Sequence, residues 1–448
     1  MYKYILKRLV LLIPVMLGVT LLVFAIMYLT PGDPAQLILG ESAPKEAVAA
    51  LREKMGLNDP FFMQYLRFVK NALVGDFGRS YTTGREVFEE IFEYESLEIL
   101  SEEKKDEIKF LTIPTFILFL VFDGFRKSSV GGDLNFYVGV FKEHSLQIPE
   151  LSNIFNSRFE IGYILFNNSL RSITDNYTIL LFSFAIITLF IWFYVFWNYS
   201  KNIYISLMIY FSSLGMLLYS FSNVRQGLSI SIGLLGFHYF VKEKYIKGLL
   251  CIFIAPLFHI TGIICILFLL VRKIHLSLKF FIIVILGLIL TFPLLKNFSE
   301  AFVNIFPQYT SYLESSWFVD SYKLAPVILS IVYVIFFVIG EIILKNNELT
   351  ESEEYIRILF FCYLIFTITT MQTSLLSRFA HYFSPFAALY VPMFIHKVPD
   401  RRIKWALLYL IIIVYSVFLF VIVYYKADWY NVVPYRSVIV DWLVGKEI

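Results

Sequence analysis

Long apolar runs separated by short charged loops dominate this chain. A helix that crosses a hydrocarbon core of about 30 Å needs about 17–25 mainly apolar residues. Runs near this length predict spans at about 9–29, 109–124, 178–198, 203–221, 226–241, 278–295, 325–344, 355–371, 376–396 and 403–425. The pattern therefore predicts an all-α fold, a multi-pass transmembrane helical bundle with about ten spans.

The apolar run 247–271 differs from the others because Pro256 and His259 interrupt it near its middle. Each arm has about 12 residues and is too short to cross alone, so the run predicts a re-entrant helical hairpin. One tilted helix kinked at Pro256 is the alternative. Lys and Arg in short loops mark the cytoplasmic side, and the hairpin puts the basic loops on one side. These loops are 242–247, 272–279 and 396–404.

This topology collects isolated ionisable residues on the outer face. A cation at bilayer depth costs about 2.5–3.5 kcal/mol on insertion scales, so such residues are rare and tend to mark a substrate path. The candidates are Arg126, Asp133, Glu160, Arg225, His259 and Arg378, with Gln226 and His381 beside them. The long outer segment 125–177 also predicts a short interfacial helix near 160–173.

Arg225 is the strongest single candidate because it opens a helix whose first amides point outward. Free N–H groups, the helix dipole and a guanidinium together form an anion site. The alternative is an interfacial arginine that extends to lipid phosphate. Arg378, His381 and Tyr382 share one helical face by their spacing, which favours a polar stripe facing the bundle interior.

The remaining candidates are acid–base groups. His259 lies beside a helix break, where an imidazole suits a general base or a donor to phosphate, and a packing role is the alternative. Asp133 and Glu160 are outer carboxylates that either activate a substrate hydroxyl, pair with the arginines or are simply solvated.

Composition agrees with a membrane protein and narrows the chemistry. The chain is 58% hydrophobic and 16% charged, whereas a soluble domain carries about 25% charged residues. Its net charge of +3 is spread over loops and indicates no nucleic-acid partner. Three cysteines without metal spacing, and no phosphate loop or nucleotide fingerprint, predict that the protein uses neither a metal nor a cofactor.

Residues 1–92 carry three motifs that differ in character from the rest of the chain. They are Leu29-Thr30-Pro31-Gly32-Asp33-Pro34, Gly56-Leu57-Asn58-Asp59-Pro60 and Gly75-Asp76-Phe77-Gly78-Arg79-Ser80. This stretch resembles the N-terminus of dipeptide and oligopeptide ABC-transporter permeases. We expect 1–94 to hold one transmembrane helix and an extramembrane loop. The permease function needs a later cytoplasmic coupling loop with a Glu-Ala-Ala…Gly pattern, which we do not find after residue 92.

The rest of the chain, 95–448, carries six ordered motifs at membrane boundaries. They are Gly124-Phe125-Arg126 with Gly132-Asp133 and Tyr137, Glu160-Ile161-Gly162-Tyr163, Asn223-Val224-Arg225-Gln226, Phe258-His259-Ile260-Thr261, Ser377-Arg378-Phe379 with Tyr382-Phe383, and Pro434-Tyr435-Arg436. This part resembles the EpsG family of exopolysaccharide polymerases, relatives of the Wzy-type polymerases.

The EpsG resemblance implies a polytopic enzyme of the bacterial cytoplasmic membrane. It would join oligosaccharide units carried on undecaprenyl diphosphate, at the outer face, alongside a flippase and a chain-length regulator. His259 or Asp133 would then be catalytic. The groups holding the diphosphate and sugar would be Arg225, Arg378, Arg126, Gln226, Glu160 and His381. A permease subunit is one alternative; a glycan acyltransferase is another, although its paired His–Asp signal is not found.

The two parts disagree by one membrane crossing. Basic residues Lys3, Lys7 and Arg8 direct the first span from inside to outside, which leaves Lys104 and Lys105 outside. The EpsG-like part places those lysines inside. Either two unrelated segments are joined here, or the first helix inserts against its basic flank.

Overall fold

The computed structural model describes residues 35–36, 44–73, 102–143, 146–148, 157–213, 216–274, 276, 278–291, 294, 301, 304, 324–345, 347–371, 376–425 and 431–443. These residues are mainly helical, and extended backbone pairs among them at an isolated bridge between Arg126 and Ser437. The predicted all-α fold is confirmed. The predicted span 9–29 lies outside the described residues. The chain divides into two compact units, 1–110 and 111–448.

Residues 44–73 of the first unit form a helical hairpin. It consists of α1 (Lys45–Met55) and α2 (Phe61–Leu73). Gly56 ends α1 in the left-handed region at φ 66°, where a side chain would be strained. The side chain of Arg67 in α2 forms an ion pair with Asp59. The motif beginning at Gly56 is therefore the turn between these two helices.

From residue 102 onwards the structure is a series of helices. They are α3 (Glu102–Gly124), α4 (Leu134–Glu143), α5 (Ile161–Arg171), α6 (Tyr177–Tyr199), α7 (Ile203–Ser212), α8 (Leu217–Ser222), α9 (Val224–Val241), α10 (Tyr245–Phe258), α11 (Ile266–Val271), α12 (Leu278–Thr291), α13 (Leu324–Leu344), α14 (Glu351–Thr369), α15 (Ser377–Phe383), α16 (Pro385–His396), α17 (Arg401–Phe420) and α18 (Val438–Leu443). A 3₁₀ helix, Ile260–Cys265, precedes α11, and a π-helical turn, Val421–Tyr425, follows α17. The predicted helix near 160–173 is present as α5, whereas α4 was not predicted.

Three described helices are long and apolar enough to cross a membrane: Tyr177–Tyr199, Val327–Leu344 and Arg401–Tyr424. Several predicted spans are shorter or broken. The run 203–221 is divided into α7 and α8, and the first of them ends at Ser212 and Ser213, which are weak helix formers.

The predicted span 376–396 is also divided, into α15 and α16. Pro385 has no N–H to donate to the carbonyl of His381, and the hydroxyl of Ser384 bonds to that oxygen at 2.8 Å instead. The prediction of one continuous helix was therefore wrong in both runs. Hydropathy measures apolar character and does not detect weak helix formers or a missing backbone N–H.

The run 247–271 is a helical hairpin packed along α9. Its first arm, α10, runs antiparallel to α9, and its second arm returns parallel to α9. The close contacts along α9 are Phe240 with Gly248 and Gly236 with Cys251 in the first arm, then Ser229 with Gly262 and Gly233 with Cys265 in the second. The chain therefore reverses between the arms.

The two ends of this hairpin meet. Arg272 lies 3.3 Å from a carboxylate oxygen of Glu243 and donates a hydrogen bond to the hydroxyl of Tyr245. The run thus leaves on the side from which it entered, and the hairpin prediction is confirmed over the single kinked helix. The first arm ends at Phe258, directly before His259, which is one of the two residues predicted to interrupt the run.

Two lysines form ion pairs with one buried carboxylate at one end of the bundle. The buried carboxylate of Glu353 pairs with Lys201 at 2.9 Å and with Lys397 at 3.3 Å. The hydroxyl of Tyr355 donates to the carbonyl of Phe268 at 2.6 Å, which places the returning hairpin arm at the same end. The basic loops at 242–247 and after 396 therefore share an end, as the charge pattern requires.

Thiol labelling tests the orientation. In a variant without the three native cysteines, Asp133→Cys and Asp175→Cys are expected to react with an impermeant reagent added to intact cells. Lys244→Cys and Glu348→Cys are expected to react only after lysis, since they lie in loops of the opposite end. All four positions are exposed. Labelling at 244 but not at 348 would contradict the shared end.

Candidate functional site

The hairpin tip carries a buried histidine. His259 has an extended backbone between α10 and the 3₁₀ helix, and its side chain is only 4% exposed. Its Nε2 lies 3.3 Å from Nη1 of Arg378, and its Nδ1 lies 2.7 Å from the hydroxyl of Thr261. The tip of the hairpin is therefore joined to α15 through an imidazole and a guanidinium.

Gln226 joins α9 to the same group. Its amide Nε2 donates to the carbonyl of Arg378 at 2.7 Å, and its Oε1 accepts from the hydroxyl of Tyr219 at 2.6 Å. The ring of Tyr219 lies 4.0 Å, centroid to centroid, from the ring of His381. Since Tyr219 belongs to α8, three helices and the hairpin tip converge here.

Glu160 connects Arg225 to the hairpin tip. Its Oε2 forms an ion pair with Arg225, and the two side chains are only 14% and 13% exposed. Its other oxygen, Oε1, accepts a hydrogen bond at 3.0 Å from the backbone amide of Ile260, the residue after His259. One carboxylate thus holds a cation of α9 and the backbone next to the imidazole.

Aromatic rings surround Arg225. The guanidinium lies over the rings of Tyr137, Phe159 and Tyr163, at 5.3, 5.1 and 5.4 Å from their centroids. Its Nε donates to the Tyr137 hydroxyl at 3.1 Å. Burial raises the pKa of Tyr163 above its usual value, so the phenol stays neutral beside the cation. These contacts commit Arg225 to partners within the protein.

A close backbone contact sets the position of Glu160. A Cβ at Gly162, in the first turn of α5, would lie 2.7 Å from the carbonyl oxygen of Leu257 in α10. Only a residue without a side chain permits this approach, which brings the start of α5 to the hairpin tip.

Gly162→Ala is therefore expected to push α5 away from α10 and to weaken the bond from Glu160 to Ile260. Overpacking of this kind costs about 1–3 kcal/mol. The measurement is the midpoint of thermal unfolding in detergent. Gly139→Ala is the matched control, because a Cβ there meets nothing within 4 Å. An equal effect of the two substitutions would contradict the assigned role of Gly162.

Two of the predicted site residues lie elsewhere. Arg126 is 1% exposed, pairs with Asp123 and donates to the carbonyl of Phe221 at 3.3 Å. Asp133 is exposed at the start of α4, one turn before Tyr137. Arg126 thus stands in a buried ion pair next to α8, whereas Asp133 lies on the rim near the aromatic rings around Arg225.

The segment containing Pro434 packs against the end of α3. The hydroxyl of Tyr435 donates to the carbonyl of Phe122 at 2.6 Å, and the carbonyl of Arg436 accepts from the amide of Lys127 at 3.0 Å. The motif at 434–436 therefore ties the C-terminal segment to the loop after α3.

Sequence reasoning assigned no role in the site to four hydroxyl-bearing residues that complete the group, although it placed Tyr382 on the polar face with Arg378. Tyr219 supports Gln226, and Thr261, Tyr382 and Ser229 form a hydrogen-bonded series behind His259. Ser229 lies one turn after Gln226 on the same face of α9, which was the available signal. Contacts between α9, α15 and the hairpin tip depend on the tertiary fold and leave no mark in local spacing.

Comparison with known proteins divides the chain into two parts. Residues 1–94 match the N-terminal part of the membrane component of binding-protein-dependent transport systems. The dipeptide transport system permease protein DppB of Alkalihalophilus pseudofirmus is 47% identical over 94 residues, which are 21% of this chain and 28% of that protein. The glutathione transport system permease protein GsiC of Escherichia coli K12 is 41% identical over 91 residues, which are 20% and 30%. The chain thus spans less than a third of these curated relatives.

The larger part matches a different family. No solved structure matches the chain. The family model of EpsG matches residues 108–437, a range that includes α4 to α17, the hairpin and every residue of the group described above. Because this match covers well over half of the 448 residues, the chain belongs to the EpsG family.

Proposed function

We propose that this protein is a membrane polymerase that joins oligosaccharide units carried on a polyprenyl diphosphate, undecaprenyl diphosphate in bacteria. The proposal is supported by the EpsG family membership and by the convergence of Arg378, His259, Gln226 and Glu160 at one end of the helical bundle. We place the reaction at the outer face of the cytoplasmic membrane, where a flippase delivers units and a regulator sets chain length.

The reaction needs an anion site beside a base. The bond between the anomeric carbon and the diphosphate oxygen breaks, and its electron pair leaves with the diphosphate. A hydroxyl of the acceptor unit forms the new glycosidic bond and loses its proton. Cations placed where the negative charge develops contribute most to such a step. The single observation that carries the proposal is the 3.3 Å contact between Nη1 of Arg378 and Nε2 of His259.

We assign the two roles to these two residues. Arg378 binds the leaving diphosphate, because a guanidinium offers parallel donors to phosphate oxygens. His259 accepts the proton of the acceptor hydroxyl. Asp133, exposed on the rim, is the second candidate base. No nucleotide and no metal enter this scheme.

Arg225 has a different part in the proposal. Its guanidinium is held within the protein by Glu160, Tyr137 and the surrounding rings. We assign to it the placement of Glu160, which in turn holds the backbone beside His259. Arg126, buried with Asp123, has a structural role, and His381 and Gln226 support Arg378.

Deletion of the gene tests the function directly. Cells without the protein are expected to carry surface polysaccharide reduced to single repeat units, and complementation is expected to restore long chains. Unchanged polymer length would refute the polymerase assignment.

The 94-residue N-terminal match favours a second candidate, a permease subunit. Copurification with an ATPase subunit, together with loss of peptide uptake on deletion, would favour it. A complementing protein that lacks residues 1–94 and still restores long chains would favour the polymerase.

A further inference from the structure

Three hydroxyls connect His259 to a backbone carbonyl, and we call Ser229, Tyr382 and Thr261 the hydroxyl relay. A carbonyl oxygen only accepts, so Ser229 donates to the carbonyl of Ala255 at 2.7 Å. With its proton used, Oγ of Ser229 accepts from Tyr382 at 2.8 Å. Oη of Tyr382 accepts from Thr261 at 3.3 Å. The hydroxyl oxygen of Thr261 has used its proton and can only accept a further hydrogen bond. It lies 2.7 Å from Nδ1 of His259.

The direction of every bond in the hydroxyl relay is therefore set from the Ala255 end. Since Thr261 accepts, Nδ1 of His259 carries a proton. The other side of the ring gives the same answer independently. Arg378 has donors but no acceptor, so Nε2, 3.3 Å from its Nη1, uses a lone pair. The ring is also buried, which leaves bulk water little access to either nitrogen.

We propose that the hydroxyl relay fixes His259 as its Nδ1–H tautomer and makes Nε2 the basic atom of the site. Ser229, Tyr382 and Thr261 are then positioning residues, which act through the imidazole and do not touch the substrate. Which nitrogen of a histidine is protonated is set by the partner of the other nitrogen, and here that partner is Thr261.

This inference rests on the proposed function only for its consequence in the reaction. When the diphosphate takes the donors of Arg378, the lone pair of Nε2 becomes available to the acceptor hydroxyl. The proton moves from that hydroxyl to Nε2, and the oxygen forms the bond to the anomeric carbon while the diphosphate departs. The resulting imidazolium still donates from Nδ1 to Thr261, so the hydroxyl relay keeps its direction throughout.

Nitrogen NMR tests the tautomer without any substrate. The protein is labelled with ¹⁵N at the Nδ1 position of its six histidines and measured in nanodiscs at about pH 8, where an unperturbed imidazole is neutral. The His259 signal is identified by its absence from the His259→Gln variant. A protonated-type Nδ1 signal is expected. An unprotonated-type signal would overturn the proposal.

Substitutions in the hydroxyl relay extend the test. Because Arg378 also favours a lone pair on Nε2, these substitutions are made in Arg378→Met protein. There Thr261→Val is expected to give a mixture of Nδ1 signals, whereas Thr261→Ser, which keeps the hydroxyl, is expected to keep the protonated-type signal. Tyr382→Phe is expected to act like Thr261→Val. Tyr355→Phe is the matched control, because it removes a buried tyrosine hydroxyl bonded to the carbonyl of Phe268 at the opposite end. In Arg378→Met protein, a signal that Thr261→Val leaves unchanged would also overturn the proposal.

Polymerisation kinetics then distinguish failure of the proposed tautomer from failure of the proposed function. Thr261→Val is expected to lower kcat about 10- to 100-fold with little change in KM, below the loss of about 10²–10⁴-fold for a missing general base. Thr261→Ser is expected to retain most of the rate. If NMR gives the expected tautomer but the protein makes no polymer under any condition, the proposed function fails while the hydroxyl relay stands.

Discussion

Arg378→Lys is expected to abolish polymer growth almost as completely as Arg378→Ala. A guanidinium bonds two phosphate oxygens in parallel and holds Nε2 of His259 at 3.3 Å. An ammonium is a point charge on a flexible stem and reproduces neither geometry. Losing a charge-assisted contact of about 1.5–3 kcal/mol corresponds to about a 10- to 150-fold fall in binding or rate. The measurement is polysaccharide chain length in cells with equal membrane levels of each variant.

Arg171→Lys and Arg171→Ala are the matched controls for Arg378. Arg171 ends α5, and its guanidinium pairs at 3.9 Å with Asp175, whose side chain is 84% exposed. A solvated ion pair of this kind contributes about 0–1 kcal/mol, so both controls are expected to give long chains. Long chains from both Arg378 variants would remove Arg378 from the site and leave it as an interfacial residue.

The hairpin at 247–271 is the part of the fold that sequence predicted most usefully. Charge in short loops fixes the side on which a segment ends, and only a reversal within this run puts the basic loops together. The structure confirms the reversal through the contacts of Gly236 and Gly233 with its two arms. That single topological result is what brings His259 to the end of the bundle where Arg378 lies.

The pairings within the site were beyond sequence reasoning. Sequence reasoning considered Arg126, Arg225 and Arg378 as ligands of the diphosphate and favoured Arg225. Their environments differ: Asp123, three residues earlier, and the distant carbonyl of Phe221 hold Arg126, whereas Glu160, distant in sequence, holds Arg225. The partners of Arg225 and the contact of Arg378 with His259 depend on tertiary packing, which no local spacing encodes.

The breaks in two predicted spans also show what hydropathy alone does not predict. Hydropathy treats 376–396 as one apolar segment, yet Pro385 removes a backbone donor in its middle. The break separates α15, which carries Arg378 and Tyr382, from α16, which packs in the core. The interrupted run thus supplies polar side chains to the site from α15, while α16 packs among apolar residues.

Glu160→Ala is expected to destabilise the protein more than any other substitution at the site. It leaves the buried guanidinium of Arg225 without its carboxylate and the amide of Ile260 without its acceptor. Breaking a buried ion pair by removing one partner costs about 3–5 kcal/mol. The midpoint of thermal unfolding in detergent is expected to fall markedly. Glu160→Gln, which keeps an acceptor oxygen, is expected to lie between Glu160→Ala and the wild type.

A double-mutant cycle shows whether Arg225 acts through Glu160 or on the substrate. If the two form one unit, Glu160→Ala combined with Arg225→Met is expected to be less damaging than the sum of the single changes, by about 0.5–3 kcal/mol. The pair of Arg171 with the exposed Asp175, 3.9 Å apart, serves as the control and is expected to show almost no coupling. The alternative result is additive stability effects together with loss of polymer in an Arg225 variant that unfolds at the wild-type temperature. Arg225 would then be a ligand for the diphosphate beside Arg378, because its loss would affect the reaction without affecting the frame that holds His259.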